Sequence, residues 1–490
     1  MTKAHSITIR CALTSAALAL AATNAHAQWS LVWSDEFDGT SLDTSKWEPM
    51  IGDGTNYGNP GWGNNELQYY TSRSQNITVQ DGNLTITARR ENFGGREYTS
   101  ARLRTLNKAD FLYGRIETRA KVPAGAGAWP AFWMLPTNSP YGGWAASGEI
   151  DVIETINGAT SAHGTIHYGG NWPNNTSNGG SRSGNWSQDF HTYAIEWEPQ
   201  RIRWFVDGQL YHTAGANVWY SSAAGGNDFA PFDSPFHLLL NLAVGGNWPG
   251  PPSQSTPFPL RYELEYVRVY EATQQPYGGT PANIPGVIEA ENFDEGAAPA
   301  AYFDRDAQNN GGAYRTSTSV DIEATTGGGF NLGWIDNGEW LEYTVNVQQS
   351  GMYLARARVA SQSGVGAFRL LADGVPAGPD FTVNPTGGWQ TWSEIVVPVT
   401  LNAGTRVLRI QNVGNSQVFN LDRITFESLS PPCAADWDGS GGQPDSSDFL
   451  AYLNDFAQHD PDADLAPPGG DGSWDSSDFL AYLNLYSQGC

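Results

Sequence analysis

The chain has 490 residues, 40% hydrophobic and only 16% charged, with 56 glycines and 19 tryptophans; that length exceeds one hydrophobic core and implies roughly two to four domains. Its formal net charge of -25 offers nothing to neutralise phosphates, which excludes nucleic acid as a partner and disfavours a polyanionic substrate. Gly-rich turns with many aromatics favour short strands in sandwiches over helical bundles.

In chain order, Lys3 and Arg10 flank the start of an apolar stretch that ends at Ala25-His26-Ala27, a small-x-small cleavage pattern. Residues 1–27 read as a secretory signal, with an apolar run too short to span a bilayer. The remainder, from Gln28, is expected to be exported, extracellular or held at the cell surface, with no membrane span. Cleavage would remove Cys11 and leave Cys433 and Cys490, which bracket the last stretch of the chain. In an oxidising compartment they are expected to pair, and closing that loop would stabilise the C-terminal piece by roughly 4 kcal/mol.

Residues 28–272 are dense in strand signals, such as NLTITARR, GRIETRAKV and YELEYVRVYEA. The stretch TQQPYGGTPANIPG then places a linker at 273–284. Residues 285–428 resume the alternation, as in WLEYTVNV and TRVLRIQNV, and suggest a second, smaller β-sandwich. Residues 433–490 hold an internal repeat: the run from Asp445 to Asn454, DSSDFLAYLN, recurs from Asp475 to Asn484. Each copy follows a loop rich in Asp and Gly and continues at helical spacing, a loop-then-helix unit used twice.

The sharpest chemical signal is SGEIDVIET, in which Glu149, Asp151 and Glu154 alternate with β-branched residues. On a strand, Glu149 and Asp151 share a face, and strict alternation would turn Glu154 to the other. A β-bulge at Val152-Ile153 returns Glu154 to the acidic face. Three carboxylates so close cannot all stay ionised, so one must hold a proton at neutral pH. A retaining glycosidase needs such a pair, one carboxylate to attack the anomeric carbon and one acid to protonate the leaving oxygen. A solvated acidic edge strand or a calcium site is the alternative on spacing alone.

SGEIDVIET resembles the signature of glycoside hydrolase family 16. WSDEFDG, GWGNNELQYYT, YTSARLRT, FLYGRIETRAKVP, WPAFWMLP, GTIHYGG and LNLAVGGNWPG extend the resemblance over nearly all of 28–272. The resemblance implies a jelly-roll sandwich with a cleft, Glu149 as nucleophile, Asp151 as its assistant and Glu154 as acid/base. It implies Trp129, Trp133, Trp144 and Trp248 along the cleft, with His167, Asn64, Glu66 and Arg102 as sugar-contacting or rim residues. Glu36 and Glu265 fall in segments that hold a structural calcium in relatives, although LEYVRVY departs from the pattern there.

Residues 285–428 resemble family 6 carbohydrate-binding modules through VIEAENF, GGAYRTSTSVDIE, LGWIDNGEWLEYTVNV, TGGWQTW and FNLDRITF. The resemblance implies an aromatic clamp of Tyr314 and Trp389 with Asn420 on the sugar hydroxyls, Trp392 in the core, and calcium at Glu289, Glu291 and Asp422. The C-terminal repeat resembles a dockerin, with calcium-loop ligands Asp436 and Asp438 in one copy and Asp471, Asp475 and Asp478 in the other. Ser440 stands where an acid is usual, and APPGG interrupts the second loop. A cohesin-like or cell-surface partner is the corresponding expectation.

The expected fold class is all-β: a jelly-roll catalytic domain, a smaller β-sandwich and a small α-helical calcium-loop module. The expected function is a retaining endo-β-glucanase acting on β-1,3-glucan of the laminarin type or on mixed-linkage β-1,3-1,4-glucan. No cofactor is expected in catalysis, and structural calcium is. The alternatives are a glucan-binding protein without catalysis and a transglycosylase using the same intermediate.

Overall fold

The computed structural model describes residues 28–429, 434–440, 443–467 and 469–489. The proposed signal and Cys433, Cys490 and their pairing lie outside the described residues. Among the described residues, no helix is long and apolar enough to cross a membrane.

The first domain stacks two sheets. Seven strands form one, in the order Asn175–Ser183, Ser161–Gly169, Glu149–Glu154, Ala128–Pro136, Phe236–Val244, Arg102–Arg104 and Glu48–Pro49, all antiparallel. Ten strands form the other, with Gly114–Lys121 and Leu260–Thr273 near its middle. Between them lies the core, where Ile150, Val152, Ile153 and Ile166 of the first sheet meet Ile116, Ile195, Trp197, Trp204 and Leu264 of the second. Full burial of large apolar side chains contributes roughly 1.5–3 kcal/mol each. Outer-face residues of the seven-stranded sheet are thereby freed from packing duties, which leaves that face for chemistry.

The second sandwich pairs a seven-stranded sheet, built around Trp340–Val347 and Gly404–Asn412, with a six-stranded sheet built around Gly351–Ala360 and Asn420–Ser428. The segment read as a free linker is partly structural. Ala282–Ile284 adds a parallel strand to Trp340–Val347, and Gln275 bridges to Glu295. Ile284 is fully buried in the second core, so the apolar residue within a Pro- and Gly-rich stretch anchors it.

The repeat forms two helices, Ser446–Gln458 and Ser476–Gln488. Asp445 and Asp475 cap them, and Asp448 and Asp478 return bonds to the cap backbones in two identical capping boxes. Tyr452 and Tyr482 stack at 3.9 Å between centroids and form the buried centre of the module.

Candidate active site

The strand Glu149–Glu154 lies third in the seven-stranded sheet, and its register slips where the acids crowd together. Asp151 pairs with Trp133 and Ile153 with Phe132, so Val152 is the extra residue. Val152 and Ile153 are consecutive yet both buried in the core, while Glu149, Asp151 and Glu154 all line one cleft of about 920 Å³. Beneath the bulge, the indole of Trp204 donates to the Asp151 carbonyl at 2.8 Å and ties the irregular backbone to the core. Gly164, on the neighbouring strand, makes room for Trp204, since a Cβ there would overlap the indole.

Two tryptophans address the outer acids. Trp144 Nε1 donates to Glu149 Oε2 at 2.8 Å, and Trp129 Nε1 donates to Glu154 Oε1 at 2.8 Å. His167, paired with Glu149 across the ladder, brings Nε2 to 3.3 Å from Asp151 Oδ2 and 3.8 Å from Glu149 Oε1. Burial and then the charge of Asp151 raise Glu149 to about 7. The same causes, in the same order, raise Glu154 well above the usual carboxylate range. Burial pulls His167 down, but its hydrogen bond to Asp151 and the charges of Glu149 and Asp151 outweigh that and lift it to about 9. The site therefore holds an acid that keeps its proton, beside a cationic imidazole.

The remaining cleft residues named from the sequence all line the same cavity: Asn64, Glu66, Arg102, Trp133 and Trp248. Arg102 is buried, with its guanidinium between the rings of Trp62 (4.5 Å) and Trp133 (4.7 Å). Trp133 donates to Asn241 Oδ1 at 2.8 Å. Glu66 accepts from Gln68 Nε2 at 2.7 Å and Tyr70 OH at 3.2 Å; burial raises it to about 7 against the opposing charge of Arg102. Trp172 escaped the sequence reading. It is 71% exposed, lines the cleft and lies 6.2 Å from Trp144. At the opposite end Trp248 stands edge-on to Trp129 at 5.6 Å. Indole faces thus extend the cleft beyond both ends of the acidic strand, the layout that seats a long neutral polysaccharide by its interior.

In the second sandwich, Asn420 donates to the Trp389 carbonyl at 3.0 Å and to Glu323 Oε1 at 2.8 Å. Trp389 is 40% exposed. Tyr314 is differently engaged: its ring stacks on Phe330 at 4.7 Å, and its hydroxyl bonds Tyr277 and Asn292. Trp334 is 39% exposed, and a Cβ on the Gly333 that precedes it would lie 3.3 Å from Asn420 Oδ1. Trp392 is partly buried under the guanidinium of Arg358 at 4.7 Å.

The metal expectations divide. Glu36 is held by Arg268 at 2.9 and 2.7 Å, and Glu265 pairs with Arg119, so an arginine faces each of these two acids. Asp422 pairs with Arg358 at 2.7 Å and Arg423 at 3.0 Å, whereas Glu291 keeps a buried Oε2 without a hydrogen bond. In the first repeat, ligand atoms of Asp436 and Asp438 gather with Asp448 within 4.8 Å of one another. In the second, Asp471, Asp475 and Asp478 form no such group among the described residues. Asp475 and Asp478 cap their helix, and Asp471 accepts from the Ser473 amide. The Asp-x-x-Asp spacing starts the helix in both repeats.

Paired carboxylates with a raised acid, in an open cleft lined by tryptophans on a sandwich face, define a glycoside hydrolase. Residues 64–267 match the glycosyl hydrolases family 16, and residues 311–428 match the carbohydrate binding module (family 6). The chain is 45% identical over 260 residues to the glucan endo-1,3-beta-glucosidase A1 of Niallia circulans, covering 49% of this chain and 38% of that protein's length. It is 47% identical over 250 residues to the beta-glucanase of Rhodothermus marinus, covering 49% of this chain and 85% of that protein. The solved laminarinase from Rhodothermus marinus is 46% identical, with a TM-score of 0.46 over 50% of this chain and 98% of that one. The chain belongs to glycosyl hydrolase family 16, and it carries a family 6 carbohydrate binding module.

Proposed function

We propose that this protein is an exported, retaining endo-β-1,3-glucanase for laminarin-type glucans. Glu149 attacks the anomeric carbon, and Glu154 protonates the departing glycosidic oxygen. A water molecule deprotonated by Glu154 then releases the sugar from Glu149. Asp151, between them, raises both glutamates and faces His167 Nε2 at 3.3 Å. The observation that carries the reading is the bulge at Val152, which brings all three acids to one cleft floor. Tryptophans at both ends favour attack within a chain. The names of the two curated relatives above support β-glucan as substrate, and acceptance of mixed-linkage glucan belongs to the same proposal.

Trp334, Trp389 and Asn420 are the proposed sugar contacts of the second sandwich. The unpaired Glu291 oxygen supports calcium held with Glu289 and Asp422. The C-terminal helices are proposed to tether the enzyme to a surface partner.

Glu149→Gln is expected to reduce laminarin hydrolysis to below a few per cent of the parent while laminarin binding persists. Proton NMR of the first products should show the β-anomer before mutarotation. A fully active variant would remove Glu149 from its role, and an initial α-anomer would overturn retention.

A further inference from the structure

The loop 141–148, which carries Trp144, is fastened at both ends to the segment 227–233. At its start, the Tyr141 hydroxyl donates to the Asp233 carboxylate at 2.8 Å and accepts from Asn227 Nδ2 at 3.0 Å. Tyr141 passes that anchorage into the loop: its amide donates to Ser147 Oγ at 3.0 Å, and the Ser147 hydroxyl donates to the Gly142 carbonyl at 2.8 Å. At its end, a Cβ on Gly148 would stand 3.0 Å from the Phe232 ring and 3.2 Å from Pro231. The next residue is Glu149, which takes the indole N–H of Trp144 at 2.8 Å.

The segment 227–233 has two sides. Ala230, Pro231 and Phe232 are buried within the catalytic domain. Asp228 and Phe229 meet the second sandwich, where Asp228 pairs with Arg305 at 3.2 Å and Phe229 packs on Phe303 at 5.6 Å between centroids. Phe303 is firmly placed, because the short strand Tyr302–Phe303 pairs with Trp340–Val347 in the seven-stranded sheet of that sandwich. Asn227 joins the two sides. Its Oδ1 accepts from the Phe229 amide at 3.1 Å, while its Nδ2 serves Tyr141 and Asp233. A shift of Phe229 therefore reaches the side chain that holds Tyr141.

We propose that the second sandwich is a supporting part of the active site: through Phe303 and Arg305 it holds segment 227–233, which sets Trp144 against Glu149. Asn227 and Tyr141 are the positioning residues of this path, and neither lines the cleft. The inference rests on Glu149 as the nucleophile and goes beyond it, since it gives the second sandwich a task that needs no sugar contact. On its other flank the loop is bonded to Gly170 through the Ala145 amide at 3.2 Å and to the Trp172 amide through the Trp144 carbonyl at 2.7 Å. Loss of one support therefore weakens catalysis without abolishing it.

The test uses the full chain and short soluble β-1,3-gluco-oligosaccharides. Phe303→Ala and Tyr141→Phe are each expected to lower kcat about tenfold with KM nearly unchanged, the cost of a small displacement beside a reacting group. The double variant should lose no more than the worse single, as two breaks in one path do, whereas independent effects multiply. Phe303→Leu, which keeps an apolar side chain on Phe229, should restore most of the rate. The Trp144 N–H favours ionised Glu149, so the acid limb of kcat/KM should also move to higher pH. Asp151, Glu154, His167 and Arg102, the other charged groups around Glu149, are untouched by these variants. Hydrogen exchange gives a readout independent of activity: in Phe303→Ala the amides of 141–148 should exchange faster, while those of Gly351–Ala360 keep the parent's protection. Exchange of 141–148 at the parent's rate, an unchanged kcat in Phe303→Ala, or losses that multiply in the double variant would overturn the coupling. A parent chain inactive on laminarin would instead overturn the proposed function, and exchange alone would then decide the coupling. Should Phe303→Ala fail to fold, Asp228→Lys, an exposed change that sets like charge against Arg305, replaces it in every arm.

Discussion

At the residue scale, each outer glutamate receives one indole N–H, but the two differ in what else they face. Glu149 has His167 at 3.8 Å and the charge of Arg102 in reach, both of which favour its ionised form. Glu154 has burial and two acids against it, and Trp129 and His167 only in part offset them. That asymmetry would separate the proposed nucleophile from the proposed proton donor, the usual way two carboxylates share one reaction. It also fixes the sign of a pH experiment. Protonated His167 lowers Glu149, so His167→Asn removes a stabilising charge and Glu149 rises further above its present value of about 7. The acid limb of kcat/KM on laminarin is expected to move to higher pH, with about a tenfold loss on that limb for each unit moved. An acid limb left in place would show that His167 only contacts sugar. The three acids were readable in the sequence because their spacing is chemically unusual. Trp172 was not, because a single tryptophan in a loop has no periodicity to say which way it faces.

At the scale of elements, the bulged strand works because its defect is supported from below. Trp204 binds the Asp151 carbonyl, and Gly164 leaves space for the indole. Gly164→Ala is expected to displace Trp204, to cost about 1–3 kcal/mol of stability as overpacking does, and to lower kcat more than it raises KM. Urea unfolding together with laminarin kinetics checks both parts, and an unchanged kcat would show that the bulge does not depend on this support. The bulge could be inferred from alternation alone, since otherwise Glu154 would face the core. Its brace could not, because Trp204 is more than fifty positions away and nothing local marks its partner. The C-terminal repeat shows the reverse case. Asp-x-x-Asp before an apolar run suits both a calcium loop and a capping box, and only the fold shows Asp475 and Asp478 capping a helix.

At the scale of the whole molecule, the two sandwiches touch through Arg201 to Ala307, Phe229 to Phe303 and Arg305 to Asp228, and linker Gln274 donates to Asp294 at 2.6 Å. A binding module held in this way would present the cleft to a surface rather than swing freely from it. Trp389→Ala combined with Trp334→Ala is expected to cut hydrolysis of insoluble β-1,3-glucan several-fold while leaving kcat/KM on soluble laminarin oligosaccharides unchanged. Equal losses on both would place these residues in support of the catalytic domain. By itself, the sequence determined the all-β class and singled out the acidic hexad, because alternation, turn residues and clustered acids are local properties of the chain. Only the tertiary structure decided that the Tyr314 ring stacks on Phe330, that part of the linker is a strand, and that Trp204 braces the Asp151 carbonyl. Those facts depend on which distant segments a folded backbone brings within a few ångströms, and no spacing along the chain encodes that distance.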